Sequence, residues 1–235
     1  MLYYVIDAFT DIKFGGNPAG VVIHKNLTEP FMQKFATEVR FSETAFVKPL
    51  NETTFEVKFF TPTNQVELCG HATIASFKAL LDNHNIKDNQ SYLMYTLAGT
   101  LPVELKNSII WMEQSMPKMG EAFHAVEDLA KLFSIDYDQI GDETFNLTPH
   151  SVSTGLWDIM LPVKTKAALY DLKPNFQAIA HYCEAHAVGG IHAFTLDCKL
   201  SVAESRNFCP LYGIDEESAT GTSTGALTYY LYEKL

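Results

Sequence analysis

The segment Gly70–Leu81, GHATIASFKALL, leaves almost no side for water if it is helical. At helical pitch Ala72, Ala75 and Ala79 share one face, while Ile74, Phe77, Leu80 and Leu81 cover most of the remainder. The spacing predicts a helix that lies inside its domain. A buried helix start carries N–H groups with no partner in the helix, and its positive dipole end favours an anion such as a carboxylate. Gly70 at that start would let a ligand approach the backbone closely. His71 beside it is either a hydrogen-bonding, proton-relaying group or a structural cap of the strand-to-helix corner.

The same pattern returns later. CGHATIA (Cys69–Ala75) and TGTSTGA (Thr220–Ala226) align Gly70 with Gly221, Thr73 with Thr224 and Ala75 with Ala226, at a constant offset of 151 residues. Both follow a strand-like run and open a helix. The shared context points to a duplicated unit, although two unrelated helix starts would show the same spacing. Two domains are expected, over 1–115 and 116–235.

Around these starts the first half alternates β-rich runs with turns. YYVIDAF and AGVVIH flank the tight turn FGGNP, SETAFVKPL and TTFEVKFFTP alternate in period two, and SYLMYTLAGTLPVELKNSIIWMEQ reads as further strands. TEPFMQKFATEV reads as a helix, with Thr28 as N-cap, Pro30 in the first turn and Phe31, Phe35 and Val39 on its apolar face. In the second half EDLAKLF, PNFQAIAHYCEAH and TSTGALTYYLYEKL read as helices, HSVSTGLWDIMLPV and GIHAFTLDC as strands.

Charge and composition exclude several functions. With 28 acidic against 17 basic residues the formal charge is −11, which offers no footprint for phosphate backbones or anionic lipid. Neither nucleic acid nor a membrane is an expected partner. No secretory leader or long apolar run is present, so a soluble, cytoplasmic protein is expected. The four cysteines show no CxxC spacing and read as reduced thiols rather than a disulfide frame or a metal site. His181, Cys183 and His186 are close in sequence, but a helix turns the two histidines to different sides. GTSTGA lacks the lysine of a phosphate loop. What the chain does offer is Glu43, an acid in RFSETAFV between strand-forming residues. Burial there would favour its protonated form and fit it to take and return a proton, although an isolated glutamate is more often solvated surface.

Taken in order, DAFTDIKFGGNPAGVV, FSETAFV, FFTPTNQVELCGHATIAS, STGLWDIMLP and SRNFCPLYGIDEESATGTSTGALTYYL resemble the phenazine-biosynthesis PhzF-like family, relatives of diaminopimelate epimerase. The resemblance implies an α+β fold of two pseudo-symmetric domains, each a β-barrel-like sheet wrapped around a central helix. It also implies a homodimer, no metal and no organic cofactor, and an isomerase that moves a proton on a small carboxylate-containing metabolite. Glu43 matches the family's acid/base, while His71 and Glu217 match its other catalytic positions. Asn17, Gly70, Gly221 and Thr222 fall at substrate-contacting positions.

The match has departures. The family's Glu-Asp-Pro-Ala-Thr-Gly-Ser reads EESATGT here, so Glu217, Ser218 and Thr222 stand for Asp, Pro and Ser, and the longer Glu217 shifts its carboxylate by one bond. The epimerase relatives place a cysteine at each helix start; Cys69 matches the first, but the second is Thr220, whose hydroxyl is no equivalent of a thiolate. Cys69 is therefore expected to be a small buried residue. Family members continue past TGALTYYL with further strands, so the second helix is expected to be partly uncovered at Leu235. A non-catalytic small-acid-binding scaffold and a related racemase are the alternative readings.

Overall fold

The computed structural model describes residues 1–142 and 144–235, which divide by contacts into Met1–Glu113 and Gln114–Leu235. In the first unit an eight-stranded sheet runs in the order β1 (Leu2–Ala8), β2 (Asn17–Ile23), β3 (Thr44–Pro49), β4 (Thr54–Phe60), β6 (Gln90–Thr96), β7 (Gly99–Lys106) and β8 (Ile109–Met112). The short β5 (Gln65–Val66) pairs with β4. Helix α2 (Gly70–Asp82) touches β1, β2 and β3 near one edge and β8 at the other, so the sheet curls until both edges meet one helix.

That enclosure follows from the side chains. Ala72, Ala75, Phe77, Ala79 and Leu80 are buried against Val21, Val47, Phe59, Met94 and Leu105. The helix also buries Thr73 and Ser76, which stay satisfied because their hydroxyls donate to carbonyls one turn back, Cys69 O at 2.7 Å and Ala72 O at 2.6 Å. The turn before β2 needs Gly16, whose φ is +65° and where a methyl group would lie 2.1 Å from Ala8 O.

Helix α1 (Glu29–Val39) covers the outer face, where Met32 and Ala36 pack on Val22, Phe46 and Phe60. This corrects two expectations. The fully buried residues are Met32 and Ala36; of the expected stripe Phe35 packs against their cluster edge-on to Phe46, while Phe31 is exposed and stacks on Phe35. Thr28 occupies the N-cap position, but its side chain makes no cap bond. Strand β3 buries Thr44, Ala45, Phe46 and Val47 in succession, because helices lie on both sides of it; period-two alternation describes only sheets with one wet face.

In the second unit the sheet order is β14 (Ile214–Glu217), β13 (Glu204–Cys209), β12 (Gly190–Thr195), β11 (Trp157–Pro162), β10 (His150–Ser153) and β9 (Lys118–Ala122). One face carries α3 (Val126–Phe133), α4 (Lys166–Asp171) and α5 (Phe176–Ala185), packed on Ile159, Leu161, Ile191, Ala193 and Phe208. The other carries α6 (Gly221–Lys234), packed on Val152, Met160 and Phe194. Alternation along the strands therefore aims Asp158, His192, Asn207 and Cys209 at the α6 face. Helix α6 is less enclosed than α2: Ala226, Leu227, Tyr230 and Leu231 are buried while Thr224, Thr228 and Tyr232 face outward.

The two central helices start alike. Their N-caps, Cys69 and Thr220, are extended at φ/ψ of −142°/120° and −136°/128°. Thr224 repeats the bond of Thr73, its hydroxyl donating to Thr220 O at 2.5 Å. The matched threonines thus make the same backbone bond, which the alignment alone did not establish.

Arg206, on β13, holds α4 in place. Its guanidinium donates to Leu169 O and Leu172 O, both at 3.1 Å, pairs with both Glu216 oxygens at 2.8 Å and lies over the Phe208 ring. Arg206→Lys keeps the charge but not the planar fork, and should destabilise the fold by about 2 kcal/mol, as is usual for hydrogen bonds to a charged group. Urea denaturation checks this; an unchanged midpoint would show that the α4 end closes without Arg206.

Candidate functional site

Glu43 immediately precedes β3, where its carbonyl accepts from Gly20 N at 3.3 Å, and the side chain is buried. Its Oε2 lies 3.5 Å from His71 Nε2, on the first turn of α2. Ser42 Oγ is also 3.5 Å from that nitrogen, and Cys69 Sγ is 3.4 Å from Nδ1. The expectation that Glu43 is buried beside the α2 start is met by this geometry, and Gly70 forms the start itself. Cys69 is buried as expected, and its sulfur also touches the His71 ring. No side chain caps α2 at Cys69.

Ligand-type atoms of Glu43, Cys69 and His71 all lie within 4.8 Å of one another, so by donor type the cluster suits a cation as well as a proton. Both ring nitrogens are engaged, Nε2 toward Ser42 and Glu43 and Nδ1 toward Cys69. Asn17 opens β2 and is buried; it lies three residues before Gly20, whose N–H reaches Glu43.

The second unit has its own polar group at the α6 start. Glu217 ends β14 and is half-buried, its Oε2 accepting from Asn207 Nδ2 at 3.2 Å. Asn207 also reaches Cys209 Sγ at 3.2 Å, and its Oδ1 lies 3.0 Å from His192 Nδ1. The ladder explains the row: His192 pairs with Asn207, and Asn207 with Glu217. A parallel row places Asp158 opposite Gly190, where a methyl group would lie 2.7 Å from Cys209 Sγ and 2.5 Å from Phe208 O. Gly221 begins α6, and the carbonyl of Thr222 accepts from Thr154 Oγ1 at 2.9 Å.

Asp158, His192 and Asn207 were not singled out from sequence, whereas Ser223 belongs to the run of hydroxyl residues at the second helix start. The readable signal was Asp158 itself, a lone carboxylate inside the apolar strand LWDIML. Burial lifts its carboxyl to about 6 against the hydrogen bond from Ser223, and the negative Glu217 adds to the rise. Burial also pushes His192 down to about 4, with the Asn207 bond and the Glu217 charge opposing, and drives the Cys209 thiol well up. A cavity of about 370 Å3 beside α5, lined by Trp157, Cys183, Val188, Gly189, Leu211 and Tyr212, holds none of the residues named for proton chemistry. Among the described residues no helix is long and apolar enough to cross a membrane.

The family profile described as phenazine biosynthesis-like protein matches residues 6–235. The chain belongs to that family. It is 34% identical to an uncharacterised isomerase of Clostridium acetobutylicum, over 97% of this chain and 78% of that one. It is 31% identical to the human phenazine biosynthesis-like domain-containing protein, over 99% and 83% respectively. Among solved structures, the PhzF-family phenazine biosynthesis protein of Bacillus anthracis superposes with a TM-score of 0.87 at 29% identity, covering 98% of this chain and 80% of the other. The expected architecture is thereby met: two pseudo-symmetric α+β units, each with a curled sheet around a central helix.

The buried pair in the second unit makes opposite demands on pH. His192, neutral when folded, contributes stability that is present above about 6.5 and is lost as pH falls toward 4. Asp158, raised to about 6, contributes stability that is present below its unfolded value of 3.8 and is lost as pH rises through 6. The two slopes offset each other between roughly 4 and 6. Asp158→Asn should unmask the histidine, giving a stability that falls with falling pH by about 1 kcal/mol per unit, and His192→Asn should give the reverse slope. Parallel pH profiles for both variants and the wild type, read by urea midpoints, would contradict this.

Proposed function

We propose that this protein is a cofactor-independent isomerase that moves a proton on a small carboxylate-containing metabolite. The observation that carries the reading is the buried Glu43 carboxylate beside His71 on the first turn of α2. The family supports it, since several relatives bear the name isomerase. In this mechanism Glu43 takes a proton from one carbon of the substrate and returns it at another, so no net proton is consumed. His71 holds the carboxylate in place and relays protons through its ring, with Ser42 at one nitrogen and Cys69 at the other. The N–H groups around Gly70 receive the substrate carboxylate, and Asn17 contributes a further contact. In the second unit Glu217 positions or relays protons, and Gly221 and Thr222 present donors.

A cytoplasmic homodimer belongs to the same reading. Sedimentation equilibrium should return twice the chain mass, and a monomer mass would remove that part.

The proton step is tested by incubating the protein with a panel of small carboxylic acids in deuterated water and following label by mass spectrometry. Wild type should incorporate deuterium into at least one acid, and Glu43→Gln should slow that by roughly 100-fold or more while leaving the circular dichroism spectrum unchanged. Equal incorporation by the variant would take Glu43 out of the mechanism. Calorimetric binding of an acid with no incorporation by the wild type would favour a binding scaffold instead.

A further inference from the structure

Asp158 sits at the floor of the second unit, fully buried, on the strand face that meets the first turn of α6. Ser223 Oγ donates to its Oδ2 at 2.6 Å. Behind Ser223 stands Thr220, the N-cap of α6, whose Oγ1 donates to Ser223 Oγ at 3.4 Å and accepts from Ser223 N at 3.5 Å. Thr220 is half-exposed, so the line of hydroxyls runs from a closed carboxyl to a surface a ligand can reach. We propose that Asp158, Ser223 and Thr220 form a proton relay serving an acid bound at the start of α6.

The arrangement is costly as mere structure. Capping α6 needs only Thr220, and an isolated buried carboxylate is expensive unless a cation pairs with it. Here its direct partner is one neutral hydroxyl. Asp158 Oδ1 faces the Gly190 backbone without closing a hydrogen bond of ordinary geometry. The groups that face it from the surrounding elements supply no cation: Glu217 on β14, Cys209 at the end of β13, Cys183 on α5 and Tyr212 after β13. His192, on β12, is held neutral by burial. An asparagine would fill the same space at lower cost, so what the acid adds is a proton it can give up.

The bond directions already match a transfer. A proton accepted at Thr220 Oγ1 is balanced by the threonine's own hydroxyl proton passing to Ser223 Oγ, and the serine's passing to Asp158 Oδ2. Neither hydroxyl keeps a charge, the carboxylate becomes a carboxyl, and the reverse sequence restores it. This bears on the departure at Thr220. A threonine hydroxyl alone is a poor base, but one backed by a buried carboxylate need only pass the proton on. The relay does not depend on the Glu43 reading; if that reading holds, it gives the second unit an acid/base of its own.

The test reads the relay without a substrate. The full-length chain is labelled with 13C at the aspartate carboxyl carbons and followed by NMR from about pH 4 to about pH 8, the Asp158 signal being the one lost in Asp158→Asn. In the wild type one averaged resonance should titrate. Thr220→Val keeps the side-chain shape and removes the hydroxyl. It should slow exchange between the carboxyl and carboxylate forms by roughly 100-fold, broadening or splitting the signal near its midpoint, and Ser223→Ala should do the same. Thr220→Ser should restore the wild-type line. An unchanged line in Thr220→Val with a folded amide spectrum overturns the relay, as does an Asp158 signal that does not titrate in this range. Should Ser223→Ala fail to fold, the half-exposed Thr220→Val and Thr220→Ser pair decides alone. These outcomes are independent of whether any acid exchanges deuterium through Glu43.

Discussion

A helix that begins inside a protein must find partners for the N–H groups of its first turn, and both units are arranged around that demand. They meet it differently. At α6, Thr220 accepts from Ser223 N, and Ser223 is tied in turn to Asp158, so side chains of the unit itself close the turn. At α2 the side chain of the N-cap residue, Cys69, makes no cap bond and instead lies against His71, although its backbone is extended in the same way. The first turn of α2 is instead flanked by a buried acid and a histidine. The asymmetry between two similar helices is therefore more informative about function than their similarity.

The same demand explains which residues the sheets carry. A sheet wrapped around a helix has an inner face that is apolar along most of its length, as Val21, Val47 and Phe59 are in the first unit. Near the helix start polar groups replace the apolar ones, because the N–H groups of a first turn have no partner within the helix. In the second unit the change is visible within single strands: Met160 and Phe194 pack under the body of α6, and Asp158 and His192, two residues earlier on each strand, lie toward its start. Both are buried, and each is pushed toward its neutral form.

The helices were legible because their chemistry is local. GHATIASFKALL leaves little but Lys78 for water, and the matched glycine, threonine and alanine of TGTSTGA marked a second start. Glu43 and His71 were legible largely through family likeness, since an acid before a strand and a histidine before a helix acquire meaning only when folding brings them within 3.5 Å. The α6-side group was legible only in part, through Glu217 and the lone carboxylate of LWDIML. Asp158, His192, Asn207 and Ser223 come from three adjacent strands, β11, β12 and β13, and a helix, and only the ladder register sets them side by side. The inward stripe of α1 was legible at Phe35 but not at its centre: Phe31 is more hydrophobic than Ala36, but the close approach of α1 to Phe46 and Phe60 selects the smaller residue.

Charge places a further condition on any acid that binds here. The chain carries a formal charge of −11, so a carboxylate approaches against the net field and gains nothing from long-range steering. The groups named at the α2 start, Ser42, Glu43, Cys69, Gly70 and His71, include no lysine or arginine. What remains is short-range attraction, from backbone N–H groups and a polar ring, in surroundings that exclude most water. Such donors act over one or two bond lengths and reward correct placement rather than charge alone. Under the proposed reading, the lack of a lysine or arginine among these groups also spares Glu43 a fixed cation that would bind its proton-accepting form too tightly to be useful.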